Sequence, residues 1–180
     1  MLESILLGLL RYQPMTGYEL KTMIDHSTGH FWHAYHSQIY TTLRKLESEG
    51  LVSSEEVQSE GSKLKPRIYT LTPQGEESFQ TWMNASMTEI SQIKEPLLVR
   101  TYFSADRPRE EVLAELRLQR ELHLRQLEEY RGIRLDPAAC PPEIRHAVPF
   151  WQATLDFGLA YEELYLGWLD QQITRIETGE

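Results

Sequence analysis

Apolar residues in the first half of the chain recur at helical spacing, in short stretches separated by polar breaks. The first stretch predicts a helix that ends before Pro14 and buries one face, with apolar positions Leu2, Ile5, Leu6, Leu9 and Leu10. A second helix is predicted to start after Thr16, because threonine followed at the third position by Glu19 is typical of a capping box. This helix is expected to end near Gly29, with apolar positions Tyr18, Leu20, Met23 and Ile24.

The third helix is predicted from the stretch SQIYTTLRKLESEGLV, residues 37–52. Ile39, Leu43 and Leu46 share one face of it, and Gly50 suits the left-handed residue that ends many helices. Two strands follow, LVSSEEVQ and RIYTLT, joined by the polar loop SEGSKLKP. A fourth helix is then expected, with N-cap Thr72, first residue Pro73 and inward side chains Phe79, Trp82 and Met83.

Three short helices followed by a hairpin form the winged-helix arrangement. The expected fold class is therefore mainly α with a small β-hairpin, in which an N-terminal winged helix-turn-helix is followed by an α-helical dimerisation arm. We place the winged-helix domain at residues 1–88 and the helical domain at residues 89–180.

The second half has a helical pattern with apolar residues on more than one side. A helix over residues 89–103 must bend or restart at Pro96, and its apolar residues are Ile90, Ile93, Leu97 and Leu98. A longer helix over residues 109–131 has Leu118 and Leu122 on one side, and on the other Val112, Leu113, Leu116, Leu124 and Leu127.

The last helix, from residue 143 or 149 to residue 176, has two apolar stripes. One stripe contains Trp151, Leu155, Leu159, Leu166, Leu169, Ile173 and Ile176, and the other contains Phe150, Phe157, Tyr161, Leu164, Tyr165 and Trp168. A helix that is apolar on two sides must be buried on two sides. The sequence therefore predicts a homodimer, in which a second subunit covers the extra stripe about a twofold axis. Residues 131–143 link the two long helices and are too proline-rich to be helical throughout.

Composition indicates a soluble globular protein, since 41% of the 180 residues are hydrophobic and 25% are charged. The apolar run at residues 5–10 is too short for a membrane span and lacks the flanks of a signal peptide, so a cytoplasmic location is expected. Cys140 is the single cysteine and has no neighbours at zinc-ligand spacing. Without a GxSxG, P-loop or HExxH motif, neither enzyme activity nor a cofactor is expected.

The net charge of −9 opposes nucleic-acid binding at long range, but the charge is unevenly distributed. Residues 1–88 hold 7 lysines and arginines against 10 acidic residues, whereas residues 89–180 hold 11 against 17. The loop GSKLKPR, residues 61–67, has three basic residues and no acid. On the third helix, the face opposite the leucines is polar, with Ser37, Thr41, Arg44 and Ser48 flanked by Gln38 and Lys45. Glutamine can pair with adenine and arginine with guanine, so this face suits the DNA major groove.

Three segments in the first half resemble PadR-type transcriptional regulators. They are MTGYEL at residues 15–20, FWHAYHSQIYTTLRKLESEGLV at 31–52 and RIYTLTPQGEESFQTWM at 67–83, and together they extend the likeness over about the first 85 residues. The sequence departs from the family pattern at Thr41, where many members have proline. The resemblance implies a homodimeric DNA-binding regulator, usually a repressor, whose second half dimerises and can sense a small molecule.

The polar face of the third helix and the hairpin loop supply the candidate DNA-contacting residues. These are His36, Ser37, Gln38, Tyr40, Thr41, Arg44, Lys45, Lys63, Lys65 and Arg67. In a twofold-symmetric dimer, two such helices would meet an inverted-repeat operator on double-stranded DNA.

The expected function is therefore a DNA-binding repressor that is released by a small-molecule effector, and two alternatives to it remain open. A small aromatic effector could stack on Trp151, Phe157, Tyr161, Tyr165 and Trp168, although plain core and dimer packing explains the same aromatic residues. A metal-responsive regulator could use the cluster His26, His30, His33 and His36. We expect no metal there, because a helix break separates these histidines and no carboxylate or cysteine cluster completes a shell. The second alternative is a winged-helix protein-interaction module, in which the acidic second half binds a protein partner and the basic hairpin loop is incidental.

Overall fold

A computed structural model describes residues 1–29, 31–56 and 66–179 of the chain. The chain divides into two compact units, Met1–Thr88 and Glu89–Glu180. None of the helices in the described ranges is long and apolar enough to span a membrane.

In its described residues, the first unit contains four helices and a small antiparallel sheet. Its elements are α1 (Leu2–Leu10), β1 (Met15–Thr16), α2 (Gly17–Ser27), α3 (His36–Ser48), β2 (Val52–Glu56), β3 (Arg67–Leu71) and α4 (Pro73–Asn84). The strand order is β1-β3-β2, with Met15 opposite Tyr69 and Val52 opposite Leu71. The predicted winged-helix fold class is therefore confirmed, and the sheet has one strand more than the predicted hairpin.

The local signals for the ends of the helices act as predicted. The Glu19 amide N–H donates to Thr16 Oγ1 at 3.2 Å, and the Thr16 N–H donates to the Glu19 carboxylate at 2.7 Å, which completes the capping box of α2. Gly50, just beyond the end of α3, has a φ of 73°, in the left-handed region that glycine adopts without strain. Thr72 caps α4, because its Oγ1 accepts the Gly75 N–H at 3.0 Å.

The core of the first unit joins the inner faces of α1, α2 and α3 to the sheet. Its most deeply buried side chains are Leu6, Met15, Leu20, Ile24, Ile39, Leu43 and Leu46. Four residues predicted to lie on inner faces are instead exposed in this unit: Tyr18, Met23, Trp82 and Met83. Tyr18 lies about 200° around the helix from Leu20, which places it on the outer face of α2. Trp82 and Met83 are in the last turn of α4, which the first unit does not cover.

The second unit consists of α5 (Pro96–Tyr102), α6 (Arg109–Gly132) and α7 (Val148–Thr178). Two 3₁₀ turns, Pro137–Ala139 and Arg145–Ala147, interrupt the link between α6 and α7, as its proline content predicts. The predicted helix over residues 89–103 is only partly correct, because residues 89–95 are not helical and α5 begins at Pro96. Proline lacks the N–H that a helix interior needs, and it is well placed at the first helical position.

Helices α6 and α7 pack antiparallel along their length. Three ion pairs join the helices: Arg117–Glu177 at 2.5 Å, Arg120–Asp170 at 2.5 Å and Arg131–Glu163 at 3.1 Å. The residue number of the partner on α7 falls as that on α6 rises, as antiparallel packing requires. The core between the helices contains Leu97, Val112, Leu116, Tyr165 and Leu169. Leu98 and Leu124, which belong to the predicted apolar pattern, lie outside this core and are exposed in the single chain. On α7 a second apolar stripe stays exposed at intervals of seven residues: Phe150, Phe157 and Leu164.

Candidate nucleic-acid interface

Helix α3 is held by a fully buried apolar face and has an exposed polar face. Ile39, Leu43 and Leu46 have no exposed surface and anchor the helix in the core of the first unit. All the predicted DNA-contacting residues of the helix are exposed: His36, Ser37, Gln38, Tyr40, Thr41, Arg44 and Lys45. The structure therefore brings these seven side chains together on one accessible surface, which we call the α3 face.

The two adjacent cations of the α3 face have different surroundings. Lys45 Nζ lies 2.5 Å from a Glu3 carboxylate oxygen and 3.8 Å from one of Glu49. The hydrogen bond to Glu3, followed by the charges of Glu3 and Glu49, raises the pKa of Lys45. Arg44 instead donates to Thr41 Oγ1 at 3.4 Å and has no carboxylate partner among the described residues. Arg44 is thus the cation of α3 whose guanidinium remains available to an anionic or base ligand.

The hairpin is described only near its base. Residues 57–65 lie outside the described ranges, so the predicted contacts of Lys63 and Lys65 fall on residues that the structure does not describe. Arg67 is opposite Glu56 in the β2-β3 pairing. Its guanidinium lies 3.2 Å from a Glu47 carboxylate oxygen, which ties the base of the hairpin to α3.

Aromatic side chains from α2 and α3 meet on one flank of the α3 face. The Tyr40 ring packs directly on Gly17, where a β-carbon would come within 2.4 Å of it. Tyr18 is 67% exposed, and its ring stacks on His36 with 6.4 Å between centroids. Sequence reasoning missed Tyr18 as a candidate contact because it was assigned to the apolar face, although its angular position on α2 would have placed it outside.

The first turn of α3 borders an open cleft of about 400 Å³. The cleft is lined by Leu2, Trp32, His33, Ala34, Ser37, Gln38, Thr41 and Thr42. At this turn the Tyr35 N–H donates to Gln38 Oε1 at 2.9 Å, while the Gln38 N–H donates to the Tyr35 carbonyl at 3.0 Å. Gln38 therefore both caps the helix and faces the cleft.

The histidine cluster does not assemble into a metal site within the described residues. No group of three or more His, Cys, Asp or Glu side chains there is placed to hold a metal ion, and His30 lies outside the described ranges. His33 packs edge-on against Tyr35, with 5.3 Å between ring centroids. Lys21 lowers the pKa of Asp25 through a hydrogen bond, and His33 and His26 lower it further.

The five candidate effector residues on α7 separate into different environments. The rings of Tyr161, Tyr165 and Trp168 contact one another, with 5.8 Å between the centroids of each successive pair. Trp151 is half-buried, and Phe157 is exposed on the outer stripe of the helix. Three of the five residues therefore form one aromatic cluster, which we call the α7 aromatic cluster.

A buried polar pair adjoins this cluster. Glu162 is only 5% exposed, and its carboxylate lies 2.5 Å from His123 Nδ1 on α6. The His123 ring stacks on Tyr165 at 3.9 Å, and the Tyr165 Oη has no hydrogen-bond partner among the described residues. Burial, together with the charges of Glu162 and Glu129, raises the pKa of Tyr130 to about 12. Sequence reasoning missed His123 and Glu162, because no motif connects residues 39 positions apart.

Two family models cover most of the chain in succession. The transcriptional regulator PadR-like family matches residues 6–81, and the C-terminal region of virulence activator alpha matches residues 93–177. The first match contains α3 and the hairpin, and the second contains α5, α6 and nearly all of α7.

Individual relatives match along almost the whole chain. A probable transcriptional regulator of Mycobacterium tuberculosis, Rv1176c, is 30% identical, over 94% of this chain and 93% of the relative. The negative transcriptional regulator PadR of Bacillus subtilis is 28% identical, over 98% and 97% of the two chains.

Solved structures of B. subtilis PadR show the same architecture. The structure of that protein in complex with operator DNA matches with a TM-score of 0.76 and 27% identity, over 97% of this chain and 98% of the other. Its structure with p-coumaric acid matches with a TM-score of 0.69 and 25% identity, over 98% and 95% of the two chains. This chain belongs to the PadR-like family of transcriptional regulators.

Proposed function

We propose that this protein is a homodimeric repressor that binds an inverted-repeat operator and is released by a small aromatic effector. The observation that carries the proposal is the α3 face, in which the Arg44 guanidinium has no carboxylate partner among the described residues and the helix is anchored by a fully buried apolar face. The likeness to B. subtilis PadR, a negative regulator with a known operator complex, supports the same use of the fold here.

In this proposal α3 enters the major groove and Arg44 reads a base. Arginine most often forms a bidentate contact with guanine O6 and N7, which a guanidinium without a carboxylate partner can make at no cost in lost ion pairs. Ser37 and Thr41 lie on the same face and suit phosphate or base contacts. Lys45 would have to exchange Glu3 for a phosphate, so we assign it a smaller share of the binding energy. The hairpin basics, Lys63 and Lys65, remain candidates for phosphate contacts.

The proposal assigns dimerisation to residues 89–180 and the outer stripe of α7. Phe150, Phe157 and Leu164 present three large apolar side chains at heptad spacing, and their exposure in one chain calls for a covering partner. A second copy of the same stripe is a self-complementary partner about a twofold axis.

The effector part of the proposal concerns the α7 aromatic cluster. Small aromatic acids suit a site that offers ring stacking and a hydroxyl donor, and Tyr165 combines both features. B. subtilis PadR has been solved with p-coumaric acid, which supports this ligand class.

The proposal is tested by selecting bound sequences from random double-stranded DNA with the full-length protein. We expect an inverted repeat whose binding weakens steeply as salt rises. Arg44→Ala should lower affinity for the selected operator by about tenfold to a hundredfold, and should relax the base preference at one position in each half-site.

Lys94→Ala is the matched control, because it removes the same charge from an exposed residue of the second unit. It should leave the base preference unchanged. If the random pool yields no enriched sequence and binding does not depend on salt, the chain is not a DNA-binding regulator, and the protein-interaction alternative replaces it.

A further inference from the structure

The side-chain amide of Gln38 has one end fixed by the fold. Its oxygen accepts the Tyr35 N–H at 2.9 Å, in the backbone-to-side-chain bond of a helix cap. A backbone N–H can only donate, so the atom facing it must be the amide oxygen and cannot be the nitrogen. The reciprocal bond from the Gln38 N–H to the Tyr35 carbonyl, at 3.0 Å, fixes the backbone of the same turn.

The other end of this amide remains available. Gln38 is exposed, borders the cleft beside α3, and its Nε2 has no hydrogen-bond partner among the described residues. The side chain therefore offers two N–H donors to a ligand, while its acceptor is engaged in the cap.

This arrangement matters because glutamine can read DNA in two ways. A bidentate contact with adenine requires the amide oxygen to accept from N6 while the nitrogen donates to N7. Guanine presents two acceptors, O6 and N7, and thymine presents the acceptor O4, so either base is satisfied by donors alone. The capped amide matches the second group of bases and can match adenine only by sharing or releasing the cap.

We propose that Gln38 is a specificity-determining residue that presents its amide donors outward, with its oxygen directed to the cap, and selects a guanine or thymine edge in the major groove. This inference rests on the proposed operator-binding function, and it favours guanine or thymine over the adenine with which glutamine can also pair. The hydrogen bond from the Tyr35 N–H fixes the orientation of the Gln38 amide, with the oxygen toward the cap and the nitrogen outward. The hydrogen bond that caps α3 therefore also determines which base edges Gln38 can contact.

The first experiment separates the cap from the donor. Gln38→Glu keeps an oxygen for the Tyr35 N–H but replaces the free amide nitrogen with a second acceptor, whereas Gln38→Ala removes both functions. We expect the melting temperature of Gln38→Glu to equal or exceed that of the wild type, and its operator affinity to fall at least tenfold, below that of Gln38→Ala. If Gln38→Glu bound the operator as well as the wild type, the cap alone would matter, and the proposal would be wrong.

The second experiment identifies the contacted base atom by using analogues in the selected operator. Replacing guanine with 7-deazaguanine, or thymine with 5-methyl-pyrimidin-2-one, removes a base acceptor, whereas replacing adenine with unsubstituted purine removes the N6 donor. At one position per half-site, removal of an acceptor should weaken the wild type several-fold and leave Gln38→Ala unaffected.

Other outcomes of the analogue experiment overturn the inference. Gln38-dependent sensitivity to loss of the adenine N6 amino group would establish adenine reading. If no base analogue had an effect that depends on Gln38, and Gln38→Glu bound every DNA sequence weakly, the amide nitrogen would donate to a phosphate and not to a base. If the wild type selects no operator and Arg44→Ala changes nothing, the proposed function itself fails. An intact Arg44 effect with no Gln38 effect rejects only the present inference.

Discussion

Tyr165 combines a well-packed ring with an unsatisfied hydroxyl group. The ring lies in the core of the second unit and stacks on His123, whereas the Oη is buried without a hydrogen-bond partner among the described residues. Burial raises the pKa of Tyr165, and the Glu95 carboxylate raises it further through its charge and through an interaction with the hydroxyl that falls short of hydrogen-bond geometry. The hydroxyl therefore stays protonated at physiological pH. An orphaned polar group of this kind costs about 1 to 3 kcal/mol of folding free energy.

Tyr165→Phe is therefore expected to leave the unliganded protein equally stable or more stable, by up to about 1 to 3 kcal/mol. Tyr165→Ala, which also removes the ring, should cost about 3 to 5 kcal/mol. Urea unfolding followed by circular dichroism measures both changes. A loss of more than about 1 kcal/mol on Tyr165→Phe would mean that the hydroxyl bonds Glu95 in solution, because a satisfied buried hydrogen bond contributes about that much.

The sequence predicts which single residues are polar and accessible better than it predicts their partners. It placed Arg44 and Lys45 together on the α3 face, but the Glu3 that engages Lys45 is 42 residues away in sequence. It predicted the capping box of Thr16 and Glu19, whereas the Tyr35–Gln38 cap lacks the usual serine, threonine or aspartate and gave no signal. The contact with Glu3 determines that Arg44 and not Lys45 is available to a ligand, and the Tyr35–Gln38 cap determines which end of the Gln38 amide faces outward.

The first turn of α4 anchors the end of α3 and the start of β2. The Thr72 hydroxyl lies within hydrogen-bond distance of the Leu51 carbonyl at 3.0 Å, and the Thr72 N–H donates to the same oxygen at 3.2 Å. Gly75 packs so closely on this carbonyl that a β-carbon would stand 2.0 Å from its oxygen. The position of α3 in the first unit therefore depends on an element that carries none of the candidate contact residues.

We expect Gly75→Ala to destabilise the protein by about 1 to 3 kcal/mol or more, because the clash is with backbone and forces α4 away from Leu51. Gly132→Ala is the matched control, since a β-carbon there meets no atom within 4 Å and alanine favours the helix. Thermal and urea unfolding of both variants checks the difference. Equal stabilities would show that α4 can shift away from the Leu51 carbonyl at no cost, and that the close contact of Gly75 with it does not hold α4 in place.

At the level of elements, the sequence predicted helices more completely than strands and boundaries. The helical periodicity and the caps of α2 and α4 were sufficient to place those helices, and Pro96 marks where α5 begins. Strand β1 gave no signal, because two residues are too few for a pattern and its partner β3 lies more than fifty residues away. Ile90 and Ile93 suggested a helix, but they lie in an irregular segment before Pro96 and are exposed.

The net negative charge of the whole molecule disfavours DNA binding, and the proposed homodimer compensates for part of this effect. A net charge of −9 per chain opposes approach to DNA, and the local cations of one α3 face are few. Two linked α3 faces double the number of phosphate and base contacts made in one binding event, and the second contact costs less entropy than the first. Operator affinity should therefore depend on dimerisation more strongly than on any single cation.

Phe157→Glu tests this dependence directly, because Phe157 is 65% exposed at the centre of the outer stripe of α7 and a carboxylate there would be buried unpaired in a dimer. We expect sedimentation velocity to find the wild type as a dimer and Phe157→Glu as a folded monomer with unchanged helical content. Thr174→Glu adds the same charge at an exposed position of α7 outside that stripe and should remain dimeric.

On the operator, the Phe157→Glu monomer should lose at least a hundredfold in affinity and show about half the salt dependence of the wild type, since half the phosphate contacts remain. A Phe157→Glu protein that still sediments as a dimer would locate the subunit interface elsewhere, and a monomer with full operator affinity would show that one α3 face suffices.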